Sequence, residues 1–361
     1  MRQAARGVRR MIDLSYFFGK RVFITGHNGF TGAWLCHVLL HAGGEITGYS
    51  LENQALENSL FLQTGLENNV HTITGDIREK EKLIKAAEET KPDIVFHLAA
   101  QPLVRLSYRE PVETYEVNVM GTVNLLEAAR HSPSVQSVVN VTTDKVYENK
   151  EWCWGYRENE NLCGLDPYSN SKSCSELVTY SYRKSFFSPD KPPAISTARS
   201  GNVLGGGDCA EDRLIPDCVR AAKTGKEIAL RNPHPVRPYL HILDCIAGYL
   251  TLAEKQCNNT TVAGEYNFGP DEENCVASGT LAQFFCDAWG ENIRWITESE
   301  ANAPREANFL KLDSTKAKTA LGWKPLLGIK TAIEKVVEYE KCRSGFERIS
   351  CIEGQIKEYF G

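Results

Sequence analysis

Up to residue 200, short apolar runs alternate with longer segments of helical periodicity. Arg21–Thr25 reads as strand, Phe30–His41 as helix and Glu45–Tyr49 as strand. Val70–Thr74 (strand), Lys80–Glu89 (helix), Asp93–His97 (strand) and Pro111–Arg130 (helix) continue the series. Ser137–Thr142, Pro167–Phe186 and Ala194–Ala198 add strand, helix and strand. Strands that are apolar almost throughout must be covered on both faces. The alternation therefore predicts a parallel sheet between two layers of helices.

The rhythm breaks after residue 200, where loops rich in Gly, Pro and Arg separate shorter elements. The expected fold class is α/β: a Rossmann-type doubly wound parallel sheet with a smaller C-terminal α/β substrate lobe. Residues 16–200 form the first lobe, with 240–268 returning to it, and 201–239 and 269–361 form the second. Residues 1–15 read as an N-terminal tail or a misplaced start. Their four arginines precede no apolar signal core, and Met11 is an alternative start.

Chemistry concentrates at the strand ends. Gly26-His27-Asn28-Gly29-Phe30-Thr31-Gly32 turns the first strand into the first helix. The first glycine allows the tight turn, the second lets backbone approach a pyrophosphate, and the third lets helix pack on strand. The helix N-terminus then offers N–H groups to phosphates. The spacing is G-x-x-G-x-x-G, so position carries the reading: a nucleotide cofactor. No acid ends the second strand, where Tyr49-Ser50-Leu51 stands with Glu52 slightly late. No arginine waits there for a 2′-phosphate either, and the balance favours NAD. Asp76-Ile77, after the third strand, stands where adenine could be contacted, or forms an ordinary strand-end turn.

Tyr-x-x-x-Lys occurs twice, at Tyr168/Lys172 and Tyr180/Lys184. The first pair follows Asp166-Pro167, an N-cap and a first-turn proline. That puts Tyr168 at the positive end of a helix, with Lys172 on the same face to depress its pKa. The second pair lies deeper in the same helix, where a packing or solvated-face role is expected. Thr143-Asp144-Lys145 ends another strand in the same crevice. A plain alcohol dehydrogenase has no use for a second acid and base, whereas a dehydration needs both. Arg199, Asn202, Arg213, Arg231 and Arg237 follow in or near the second-lobe loops, and arginine forks suit a diphosphate. Gln101 and Arg105 stand within reach of the same substrate. His97 reads as a packed strand histidine.

Composition narrows the field further. The chain has 361 residues, 42% hydrophobic, and a net charge of -5 with acids and bases interspersed, so nucleic acid is not an expected partner. No apolar run approaches the roughly 20 residues of a membrane span. Twelve cysteines form no C-x-x-C, and eight histidines form no zinc-type cluster. Free thiols of a cytoplasmic protein and no metal site are expected.

These motifs resemble the extended short-chain dehydrogenase/reductases, and within them the CDP-glucose 4,6-dehydratases. The resemblance also runs through Ala99-Ala100-Gln101-Pro102-Leu103-Val104-Arg105, Trp154-Gly155-Tyr156-Arg157-Glu158-Asn159 and Gly205-Gly206-Gly207-Asp208. Arg231-Asn232-Pro233-His234, Arg305-Glu306-Ala307 and Leu321-Gly322-Trp323 close it. The lysine after Asp144 is the selective mark, since related dTDP-glucose dehydratases carry glutamate there. Thr31 departs from the family pattern, which often has lysine.

The resemblance implies that Tyr168, with Thr143 and Lys172, takes the glucose 4-hydroxyl proton. Lys145 then removes the C5 proton and Asp144 protonates the departing 6-hydroxyl. It also implies NAD contacts from Gly26, Asn28, Gly29, Phe30, Gly32, Ser50, Asp76, Ile77, Ala99, Ala100, Gln101, Asn118 and Thr142, besides Tyr168 and Lys172. CDP-glucose as substrate and a homodimer complete the expectation. A nucleotide-sugar 4-epimerase, or a dehydratase of another nucleotide-hexose, is the alternative.

Overall fold

A computed structural model describes residues 12–52, 59–187, 191–290, 292–298 and 307–361. Most of the expected N-terminal tail, and Arg305 and Glu306, lie outside the described residues.

The first six strands are β1 (Arg21–Thr25), β2 (Glu45–Ser50), β3 (His71–Thr74), β4 (Ile94–His97), β5 (Ser137–Thr143) and β6 (Ala194–Ser200). They are followed by β7 (Asn202–Leu204), β8 (Ile228–Leu230), β9 (Val236–His241), β10 (Glu265–Phe268), β11 (Cys275–Ala277) and β12 (Trp295–Thr297). Seven of them form one sheet in the order β10-β6-β5-β4-β1-β2-β3, every pair parallel. This is a Rossmann-type doubly wound sheet. Its order reverses between β1 and β4, and at such a switch point the loops beyond the strand C-termini part to form a crevice.

The period of two along a strand assigns its residues to opposite faces. Val22 and Ile24 pack with Trp34 and Leu35 of the Phe30–His41 helix and with Ile246 and Leu250 of the Ile242–Asn258 helix. Phe23 and Val95 pack on the other face with Leu83, Leu125 and Leu126, from the helices Lys80–Thr90 and Gly121–His131. Burying each such side chain contributes roughly 1.5–3 kcal/mol. The helix expected over Pro111–Arg130 contains one wide π turn, Glu116–Met120, which carries the buried Asn118. Such turns often mark functional sites.

The smaller lobe has its own core of Ile215, Val219, Ile228, Leu281, Phe285 and Ile333. It includes the sheets β11-β9-β7 and β12-β8. The expected division needs one correction. Residues 269–361 do not stay in this lobe: Trp323, Tyr339, Ile352 and Ile356 belong to the first-lobe core. An amphipathic stripe shows that a helix has a partner, not which core supplies it.

Candidate active site

The glycine turn is built as its spacing requires. Gly26 has φ +72, and a Cβ there would sit 2.7 Å from the Ala99 nitrogen. A Cβ on Gly32 would lie 2.3 Å from the Gly26 carbonyl oxygen, so that position is closed by the packing of helix on turn. At Gly29 the nearest atom is 3.4 Å away, and the open side belongs to the cavity. The fit of a dinucleotide rests on this contrast: two glycines close the turn, and the middle one leaves backbone exposed to a phosphate.

The cavity measures about 1020 Å³ and runs from this turn, past the end of β5, into the second lobe. A pocket for one drug-sized ligand holds roughly 300–1,000 Å³, so there is room here for cofactor and substrate together. Asn28, Phe30, Ser50, Asp76, Ile77, Ala99, Ala100 and Thr142 line its first part. Arg78, which the motifs did not reveal, stands there too. Its guanidinium pairs with Asp76 at 2.6 Å and holds that carboxyl below the usual carboxylate range.

Tyr168 is the second residue of the Pro167–Ser185 helix. The Asp166 side chain caps that helix by accepting the Ser169 N–H at 2.9 Å. Lys172 follows one turn later and donates Nζ to the Val141 carbonyl at 3.2 Å. At Tyr168 burial and neighbouring polar groups oppose each other. Burial pushes the phenol up to about 12, against the opposing pull of the Arg213 cation and the Thr143 hydroxyl. Burial likewise lowers Lys172 to about 8, partly countered by Glu176.

The second pair sits in a 3-10 turn, Asp144–Val146. Thr143 Oγ1 donates to Asp144 Oδ1 at 3.0 Å, and Lys145 Nζ lies 3.6 Å from the same oxygen. Thr143, Lys145, Tyr168 and Lys172 line the cavity, while Asp144 is buried behind that wall. Its Oδ2 is buried and has no hydrogen-bond partner among the described residues.

Arg105, Asn202, Arg213, Arg231 and Arg237 line the part of the cavity toward the second lobe. Arg231 meets Asp212 at 2.8 Å, and Arg105, from the first lobe, approaches the same carboxylate at 3.7 Å. Arg213 pairs with Asp208 at 3.1 Å.

Three expected ligand contacts are corrected. Arg199 does not reach the cavity: it is buried in β6, paired with Glu176 and bonded to the Tyr147 hydroxyl at 2.8 Å. Gln101 and Asn118 are spent on each other. Asn118 Oδ1 accepts the Gln101 N–H at 2.8 Å, and Asn118 Nδ2 donates to the Gln101 carbonyl and to Ser171 Oγ. Gln101 Nε2 goes to Thr114 and its Oε1 accepts the Leu103 N–H. Together they brace the loop after β4 against the Pro167–Ser185 helix. Glu176 was missed altogether, although its spacing four residues after Lys172 places it on the same helix face. His97 is buried and bonded to Thr25 Oγ1 at 2.7 Å.

Comparison with known proteins follows the same line. Residues 23–336 match the family described as GDP-mannose 4,6 dehydratase. A CDP-glucose 4,6-dehydratase of Salmonella typhimurium is 43% identical, over 97% of this chain and 98% of that protein. A dTDP-D-glucose 4,6-dehydratase of Homo sapiens is 28% identical, over 89% of this chain and 90% of its own. The UDP-glucose 4-epimerase of Thermus thermophilus, solved with NAD, superposes with a TM-score of 0.76. It is 25% identical, covering 89% of this chain and 99% of that one. The dTDP-glucose 4,6-dehydratase of Bacillus anthracis, at 23% identity and TM-score 0.73, shares the fold over 90% of this chain and 97% of its own.

Proposed function

The chain belongs to the GDP-mannose 4,6 dehydratase family, and from that premise we propose that it converts CDP-glucose to CDP-4-keto-6-deoxyglucose with bound NAD. The observation that carries this reading is that Lys145, 3.6 Å from the Asp144 carboxylate, lines the same cavity as Tyr168 and Lys172. A 4-epimerase needs the tyrosine and lysine but has nothing for a C5 base and a C6 acid to do.

NAD, when bound, supplies reversible hydride storage between oxidation at C4 and reduction at C6. Tyr168, with the Thr143 hydroxyl and the Lys172 charge beside it, takes the proton of the 4-hydroxyl. The ketone so formed acidifies C5, and the Lys145 amine removes that proton. Asp144 gives its proton to the 6-oxygen, which leaves as water. As C6 is reduced, the Lys145 ammonium gives a proton back to C5, and the proton held by Tyr168 restores Asp144 through the Thr143 hydroxyl, which donates to Asp144 Oδ1 at 3.0 Å. The product is a precursor for deoxysugar synthesis. The cofactor end is lined by small residues, Gly29, Ala99 and Ala100, which admit a ring close to backbone.

No described helix is long and apolar enough to cross a membrane. The reading includes a cytoplasmic homodimer. Twelve scattered cysteines with no C-x-x-C spacing support that compartment. Val112, Tyr115 and Met120 on one helix, and Leu177 and Tyr180 on its neighbour, are exposed apolar residues that a second copy would cover.

Incubating the NAD-loaded protein with CDP-, UDP-, dTDP- and GDP-glucose, followed by mass measurement, tests the proposal. Loss of one water from CDP-glucose is the expected result. A product of unchanged mass would mean epimerisation instead.

A further inference from the structure

Beyond the arginines the cavity continues into the second lobe, where one carboxylate keeps an open oxygen. The helix Leu214–Lys223 begins at Arg213, whose cation acts on Tyr168. Its first turn therefore starts beside the reacting groups and leads onward along the wall, through Leu214, Ile215 and Pro216 to Asp217. Four residues of helix place Asp217 about 6 Å further along the axis than Arg213. Its Oδ1 accepts from Arg220. Its Oδ2 accepts no hydrogen bond from a described residue, the nearest cation being Arg231 Nη2 at 3.8 Å.

The wall here also includes β8. Ile228 donates its N–H to the Arg294 carbonyl, and the Leu230 carbonyl accepts the Glu298 N–H at 2.9 Å, so both turn their polar groups toward β12. In a parallel pair the residue between them turns its N–H and C=O the other way. That residue is Ala229, which is exposed and lines the cavity. The far end thus combines apolar side chains, one strand edge with a donor and an acceptor, and the Asp217 carboxylate. Such an end suits a flat heterocycle.

With the sugar at Tyr168 and Lys145 and the diphosphate among the arginines, the nucleobase falls here, a placement that rests on the function proposed above. Cytosine carries an amino group at C4, which donates; thymine carries a carbonyl there, which accepts, and uracil does the same. An ionised carboxylate only accepts. The geometry points to Asp217 as the residue that selects cytosine, Oδ2 accepting from the exocyclic amine and repelling the C4 carbonyl of the other pyrimidines. A charge-assisted bond of this kind, made to one base and lost to the other, corresponds to roughly 10- to 100-fold discrimination. A role confined to the helix, as a first-turn acid paired with Arg220, would leave donor choice untouched.

The test compares kcat/KM for CDP-glucose and UDP-glucose in the NAD-loaded wild type and Asp217→Asn. An amide both donates and accepts, so the preference for CDP-glucose is expected to shrink by roughly tenfold or more. An unchanged ratio overturns the assignment. Inhibition of the wild type by CDP and by UDP reads the same discrimination without a variant, and equal inhibition also overturns it. If the wild type dehydrates no nucleotide-glucose yet binds CDP more tightly than UDP, with the asparagine variant binding both alike, the proposed function fails. The Asp217 assignment then stands.

Discussion

Arg199 and Glu176 form an ion pair 2.8 Å long with both side chains almost completely buried. Glu176 lies one turn beyond Lys172 and accepts the hydroxyls of Thr142 and Thr197 as well. Thr142 stands between Val141, whose carbonyl holds Lys172, and Thr143, whose hydroxyl acts on Tyr168. One carboxylate therefore ties β5, β6 and the Pro167–Ser185 helix into a fixed arrangement.

Removing one partner of such a pair leaves a buried charge without compensation. Arg199→Met is expected to cost about 3–5 kcal/mol in urea unfolding, with KM for CDP-glucose unchanged in the protein that remains folded. The double variant Glu176→Gln/Arg199→Met should lose less than the sum of the single ones. A large rise in KM without loss of stability would return Arg199 to the substrate site.

The glycine turn separates fold from cofactor binding. Gly32→Ala must displace backbone and is expected to lose about 1–3 kcal/mol of stability or more. Gly29→Ala meets nothing closer than 3.4 Å, so its melting temperature should hold while its NAD affinity falls. Calorimetry of both variants with and without NAD reads the two effects apart.

Asp144 and Lys145 can be told apart by proton exchange in heavy water. Lys145→Ala should lose exchange at C5 and slow dehydration by roughly 10²–10⁴-fold. Asp144→Asn should slow water loss to a similar degree while C5 still exchanges. Intact C5 exchange in Lys145→Ala would remove that lysine from the role given to it.

Asp244 predicts a pH dependence of stability. It is buried at the start of the Ile242–Asn258 helix and accepts the Leu326 N–H and the Tyr359 hydroxyl, both at 2.6 Å. Burial outweighs these donors and pushes the carboxyl up to about 6 from 3.8. With the folded pKa above the unfolded one, its contribution is fully present below about pH 4 and is lost as pH rises through 6. A shift of this size corresponds to on the order of 2–3 kcal/mol. Asp244→Asn cannot ionise, so the stability of wild type minus variant should shrink by that order between about pH 4 and pH 7. A difference that grows with pH would contradict this.

Much of the fold was legible because its signals are local. Turn glycines, an i,i+4 pair behind an N-cap and apolar runs of strand length each declare themselves within a few residues. What the chain hides is pairing across distance. An arginine in a loop-rich region reads the same whether it meets a phosphate or, as Arg199 does, a buried glutamate. Gln101 and Asn118 sit where ligand contacts belong, yet their amides satisfy each other. The upward shift at Tyr168 was also invisible, since it depends on what distant parts of the chain pack around the helix end. The Asp217 carboxylate had no motif around it at all.

The most direct test uses CDP-glucose labelled with deuterium at C4 and the NAD-loaded protein. The account predicts a product lighter by one water, with the label moved within the same molecule to C6 and a solvent proton at C5. A product of unchanged mass with the label still on C4, or a dehydrated product that has lost the label, would contradict it.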